Sequence, residues 1–162
     1  MEKFRQLVQE ANKAFETADH LAYMTYPIVK DIKLIIIIVE NLYNALEKAM
    51  DAVLYYDRLY KRINDLPKEF NLRFDIFKRK SAPRYGISEE NIFLINEIRS
   101  IVEQRKKSPI EFIRKDKLVI ASNNFKVKTV DINKIKEYVL KTKSFIEKLN
   151  EIKKEDDRRF GR

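Results

Sequence analysis

Apolar residues recur every three or four positions through most of the chain, and every second position in one short stretch. Phe4, Leu7, Val8, Ala11, Phe15, Ala18, Leu21 and Ala22 share one side of a helix expected from Glu2 to Tyr26. Pro27 ends or kinks it, because proline has no N–H and disfavours helix at the preceding residue. A second helix is expected over 28–64. Ile35, Ile38, Leu42, Ala45, Ala49, Ala52, Tyr56, Leu59 and Ile63 alternate spacings of three and four, the pattern of a coiled-coil seam. A parallel seam of Ile36, Val39, Tyr43, Leu46, Met50, Val53 and Tyr60 widens the apolar face. Such a helix belongs at the centre of a bundle or at a subunit interface. Its seam residues Ile35, Ile38, Leu42, Ala45, Ala49, Ala52 and Tyr56 are the candidate interface.

Leu66-Pro67 closes that helix, and a short helix with Phe70, Phe74 and Phe77 follows over 68–80. Ser81 to Gly86 reads as a loop. Ser88 is an N-cap for a helix over 89–107 that turns Ile92, Ile95, Ile98, Ile101 and Val102 inward. Ser108-Pro109-Ile110-Glu111 carries a capping-box pattern that predicts one further helical turn. The period then changes to two. Lys117–Ser122 and Phe125–Val130, joined at Asn123-Asn124, predict a β-hairpin on a two-residue turn. That pairing puts Leu118, Ile120, Phe125 and Val127 on one face, with Lys117, Lys126 and Lys128 on the other. Asp131 caps a last helix over 132–154 with the seam Ile132, Ile135, Val139, Thr142, Ile146, Leu149 and Ile152, and the tail 155–162 is expected to fray. The expected fold is mainly α: one helical domain, a bundle around a long central helix, with one β-hairpin before the C-terminal helix.

Composition narrows the function classes. The 162 residues contain 2 Gly, no Cys and one His. Disulfide frameworks, cysteine nucleophiles, zinc ribbons, glycine-rich phosphate loops and multi-histidine metal sites all need residues this chain lacks. No cofactor is implied. The longest apolar run, Leu34 to Val39, is six residues, against about 20 for a bilayer span. A cytoplasmic chain without membrane attachment is the expectation. The Ile- and Lys-rich, Gln-poor composition fits a thermophile or a low-GC genome.

Three side-chain groups invite a chemical reading. Glu40, Glu47 and Asp51 share a stripe of the second helix, but the Glu-x-x-His pattern of di-metal bundles is missing, so they read as a solvated polar face. His20 falls on the polar side of the first helix, beside Lys13, Glu16 and Thr17. Tyr23, Tyr26, Tyr43, Tyr55, Tyr56 and Tyr60 cluster on the first two helices, as core or interface residues or as a base-stacking platform. The chain is expected to be non-catalytic.

Charge changes the picture most. The formal net charge is +9. Residues 1–66 hold 9 Lys and Arg against 10 Asp and Glu, whereas 67–162 hold 25 against 15. Lys78, Arg79, Lys80 and Arg84, then Arg105, Lys106 and Lys107, then Arg114, Lys115 and Lys117, and the hairpin residues Lys126 and Lys128 form the candidate nucleic-acid-binding set. The partner expected is nucleic acid, RNA ahead of DNA, or a ribonucleoprotein. The alternatives are a protein partner engaged by a homodimeric scaffold working through the second helix, and a metal-dependent enzyme using the helix carboxylates.

The stretch Asn41-Leu42-Tyr43-Asn44-Ala45-Leu46-Glu47-Lys48-Ala49, followed by Leu54-Tyr55-Tyr56, resembles the long-helix pattern of HEPN-type helical domains. The chain also looks like small archaeal helical proteins of that type. The resemblance covers the first two helices. It implies dimerisation through helices and work with RNA or a partner protein. The ribonuclease motif of the family, Arg, then four to six residues, then His, does not carry over. The only histidine is His20, and the nearest preceding arginine is Arg5.

Overall fold

A computed structural model describes residues 1–107, 110–114, 117–121 and 127–161, with side chains described over 1–107, 117–120 and 129–161. The chain is mainly α. Helix α1 (Glu2–His20) runs into a π-helical turn at Leu21–Thr25 and a short α2 (Tyr26–Val29). The long α3 (Lys33–Leu59) follows, then α4 (Phe70–Ile76), a second π-turn at Phe77–Ser81, α5 (Ala82–Arg84) and α6 (Glu89–Lys107). Strands β1 (Ile110–Arg114), β2 (Lys117–Ala121) and β3 (Val127–Val130) precede α7 (Ile132–Phe160).

Both π-turns sit just ahead of a proline. Pro27 and Pro83 lack an N–H, and their rings crowd the carbonyl four residues back. In each case the residue before the proline reaches one position further. Tyr26 N–H donates to the Leu21 carbonyl, and Ala82 N–H donates to the Phe77 carbonyl. The helix widens instead of breaking. The true break comes at Lys30, which takes a left-handed conformation with φ 52°. Asp31 then accepts from the Lys33 N–H at 2.9 Å, so the central helix starts at Lys33 and not at 28. Its end also precedes the expected one. Lys61 is left-handed (φ 57°), and Arg62 N–H donates to the Asp57 carbonyl at 2.8 Å. That is a Schellman closure with lysine in the place glycine usually takes.

Four helices form the bundle. Phe4 meets Tyr56 and Glu10 meets Lys48, so α1 runs antiparallel to α3. Tyr60 meets Phe160, so α7 runs parallel to α3. The last turn of α6 meets the start of α3 through Arg105 and Glu40, and its first turn meets α7 through Glu90 and Lys141. The seam Ile35, Ile38, Leu42, Ala45, Ala49, Ala52 and Tyr56 is buried inside this bundle. The neighbour that its alanines admit is α1, which contributes Ala11, Ala14 and Ala18 to the same buried layer. These seven candidate interface residues are therefore part of the core of the bundle.

The expected hairpin is present as β2 and β3, with two corrections. Residues 110–114 form strand β1 and not a helical turn. Ile and Phe are residue types enriched in strands, and all five residues pair antiparallel with β2. The sheet order is β1-β2-β3. The register also differs by one. Leu118 pairs with Val130 and Ile120 with Lys128, where a two-residue turn at Asn123-Asn124 requires Thr129 and Val127. A one-residue slip exchanges the faces of a strand. Val130 accordingly joins Leu118 and Ile120 as buried. Ser108, Pro109, Asn123, Asn124 and Phe125 lie outside the described residues.

The caps at Ser88 and Asp131 hold. Ser88 Oγ accepts from Asn91 N–H at 3.1 Å, and Asp131 accepts from Lys134 N–H at 2.9 Å. The tail, expected to fray, is helical where it is described, over 155–160. Helix α7 continues to Phe160 and is closed by Gly161 in the left-handed conformation. Asp156 is buried there, accepting from Tyr56 and Tyr60 hydroxyls at 3.2 and 2.8 Å.

Candidate functional site

The fold pins one basic segment, residues 77–85, across the C-terminal half of α3. The pin is Asp57, a carboxylate with no solvent exposure. A buried charge needs partners, and this one has several. Ser81 Oγ donates to it at 2.6 Å, Arg84 and the Tyr85 hydroxyl bond to it, and Arg62 Nη1 lies 3.7 Å away. Arg62 in turn donates to the Tyr85 oxygen at 2.7 Å. Burial raises the Tyr85 phenol far above its ordinary value, and its bond to Asp57 adds to that, because a phenolate beside a carboxylate is disfavoured. Phe77, fully buried against Phe145 of α7, anchors the same segment from below.

Grooves open on both sides of this segment. One, of about 790 Å³, is lined by Phe74, Lys78, Arg79, Pro83, Ile87, Glu89, Ile92, Phe93 and Asn96. The other, of about 450 Å³, is lined by Tyr56, Arg62, Arg84, Tyr85, Ile152 and the α7 residues Lys148, Glu151, Glu155 and Arg159. Six cations therefore border two adjoining grooves, and Lys80 is exposed on the segment between them. Arg79 is paired with Asp75 at 2.7 Å, and Arg159 lies 3.6 Å from Glu155. Lys78 and Lys80 are exposed and have no ion pair among the described residues.

The sequence-derived cations do not all meet here. Arg105, Lys106 and Lys107 end α6 at the opposite end of the bundle, beside the sheet. Arg105 pairs with Glu40 at 3.2 Å, whereas Arg84 pairs with Asp57. The two acids are 17 residues apart on α3, about 26 Å at 1.5 Å per residue. Lys106 lies 4.0 Å from Glu103, and Lys117 is exposed on β2. Lys115 and Lys126 lie outside the described residues, as do the side chains of Arg114 and Lys128. Conversely, Arg62, Lys148, Arg159, Tyr85 and Phe93 belong to the site without having been singled out from the sequence. Arg62 falls in the half of the chain with no net positive charge, and the two α7 cations are masked by the Lys/Glu alternation of that helix.

The carboxylate stripe is spoken for. Arg73 Nε donates to Asp51 at 3.0 Å, Arg73 Nη2 donates to Glu47 at 3.3 Å, and Arg105 takes Glu40. Burial still raises the Asp51 carboxyl, against the pull of Arg73. Among the described residues no three His, Asp or Glu side chains are grouped to hold a metal ion. His20 is exposed, and of the tyrosines Tyr26 and Tyr56 are buried, which removes them from any stacking platform. No helix of the described residues is long and apolar enough to cross a membrane. No protein-family model matches the chain, and no curated protein or solved structure is significantly similar to it.

Proposed function

We propose that this chain is a non-catalytic basic helical module that binds nucleic acid, or a ribonucleoprotein, through the end of the bundle that carries residues 77–85. The observation that carries the reading is the set of six cations along the two grooves: Lys78, Arg79 and Arg84 on the segment that the buried Asp57 holds, with exposed Lys80 on the same segment, and Arg62, Lys148 and Arg159 facing it from the end of α3 and from α7. Phosphate binding needs clustered cations on a fixed frame, and affinity then follows counterion release. RNA is placed ahead of DNA on the resemblance of the α3 sequence to helical domains that work with RNA. A scaffold dimerising through α3 is the weaker reading, since its seam is core. A second copy would have to use another apolar surface, such as the exposed Tyr23, Met24, Ile28 and Val29 around Pro27.

Fluorescence anisotropy of labelled RNA against salt tests the proposal. Replacing Lys78 and Lys80 by Gln lowers the slope of log K against log salt by about 1.4 on a single strand, the loss of two phosphate contacts. Replacing Lys106 and Lys107 at the far end leaves the slope unchanged. Absence of binding at about 50 mM salt, where phosphate contacts are strongest, overturns the proposal.

A further inference from the structure

The larger groove has a composition that phosphate binding alone does not explain. Its walls are Phe74, Ile87, Ile92 and Phe93, an apolar surface beside a basic rim. Phe93 is 65% exposed although it sits on α6, whose neighbours Leu94 and Ile95 are fully packed. Phe74 is backed by Phe70, stacked on it with ring centroids 5.7 Å apart, so the wall is firm. Glu89 and Asn96 are the other polar side chains of the lining. Glu89 repels a phosphate, while its carboxylate accepts hydrogen bonds from the amino groups of bases.

We infer that this groove takes an unpaired nucleobase, so that the module prefers single-stranded nucleic acid. The base stacks on Phe93. Lys78 and Arg79 hold the flanking phosphates, and Glu89 and Asn96 meet the base edge. A duplex keeps its bases inside the stack and cannot supply this contact, whereas a single strand supplies both an aromatic face and a backbone. The Glu89 carboxylate favours bases that carry an exocyclic amino group, which uracil lacks. The inference rests on the nucleic-acid reading above and narrows it to one class of strand.

Oligonucleotides of about 12 residues, within the site size of single-strand binding modules, are the probes. Oligo(A), oligo(C), oligo(U) and a duplex RNA of the same length are titrated at about 50 mM salt. Wild type binds the single strands more tightly than the duplex, and oligo(U) least well of the three. Phe93→Ala weakens the single strands about tenfold and leaves the duplex unchanged, as loss of one stacked base requires. Phe93→Tyr, which keeps a ring, keeps the affinity. The exposure of Phe93 lets both variants fold as the wild type does, which their circular dichroism verifies.

If Phe93→Ala binds every strand like wild type while the Lys78/Lys80 double variant still loses affinity, the stacking site is wrong and the phosphate reading stands. If no strand binds at all, both fall. A labelled peptide of alternating Asp and Trp that binds where no RNA does would give the groove to an acidic protein segment and overturn both as well.

Discussion

Asp57 is the residue on which the basic segment depends. Its carboxylate is the shared acceptor for Ser81, Arg84 and Tyr85, three residues from a part of the chain more than twenty positions away. Truncating it strands a hydroxyl, a phenol and a guanidinium together. Asp57→Ala is therefore expected to lower unfolding free energy by about 3 kcal/mol, the usual penalty for removing one side of a buried ionic pair. Tyr85→Phe, which deletes one donor, should lose about 1 kcal/mol. Urea denaturation of the two variants checks the ranking, and equal stabilities would mean that the segment is held by Phe77 alone. None of this was legible in the sequence. An aspartate in the last turns of an apolar helix reads as a solvated residue, and its burial is decided by Ser81 and Tyr85, which local pattern cannot bring near it. The cations of 78–84 were legible as a run; what they are fastened to was not.

Elements were read better than residues, and where the reading failed the reason is specific. Ser88 and Asp131 announce α6 and α7 because a cap is a local device: one side-chain oxygen, one N–H three residues on. The hairpin register failed because Asn123-Asn124 looks like a two-residue turn, while the strands pair Leu118 with Val130, whose side chain is buried. The end of α3 failed for a third reason. Leu66-Pro67 is a visible stop signal, but Lys61 ends the helix first by adopting a conformation that its type disfavours. Lys61 has a φ of 57°, where a Cβ is penalised by roughly 1 kcal/mol. Lys61→Gly should accordingly raise stability by up to about 1 kcal/mol without altering the Schellman bond from Arg62. A melting temperature that falls on this substitution would show that the lysine chain contributes packing beyond its backbone.

At the scale of the whole molecule, tyrosines link the elements, and this gives the protein a shared alkaline limit. Burial, reinforced by Glu47 for Tyr43 and by Asp156 for Tyr56, pushes both phenols from the ordinary value near 10 up to about 12, and Tyr85 and Tyr138 higher still. The folded state thus keeps protons that the unfolded chain releases near pH 10. Their stabilising contribution is complete below that pH and is lost as pH rises from about 10 toward 12. Thermal melts across that range should show a continuous decline, with the phenolate absorbance of Tyr43, Tyr56, Tyr85 and Tyr138 appearing only as the protein unfolds. Ionisation of these tyrosines in the intact fold near pH 10 would contradict their burial. Charge partition was partly legible at this scale: the excess does lie after residue 66, but folding divides it between the two ends of the bundle.

The continuation of α7 to Phe160 has one more consequence, for the order in which the chain is made. Helices α1 and α3 emerge early and can zip together through their alanines. The side of that hairpin that faces α7 is covered only when the distant last helix arrives, with Asn150 on Asn12, Asp157 on Arg5 and Phe160 on Tyr60. Contacts so remote in sequence are the slow ones to form. Until α7 has been translated, a nascent chain therefore presents a half-closed, sticky hairpin and is most exposed to misassembly.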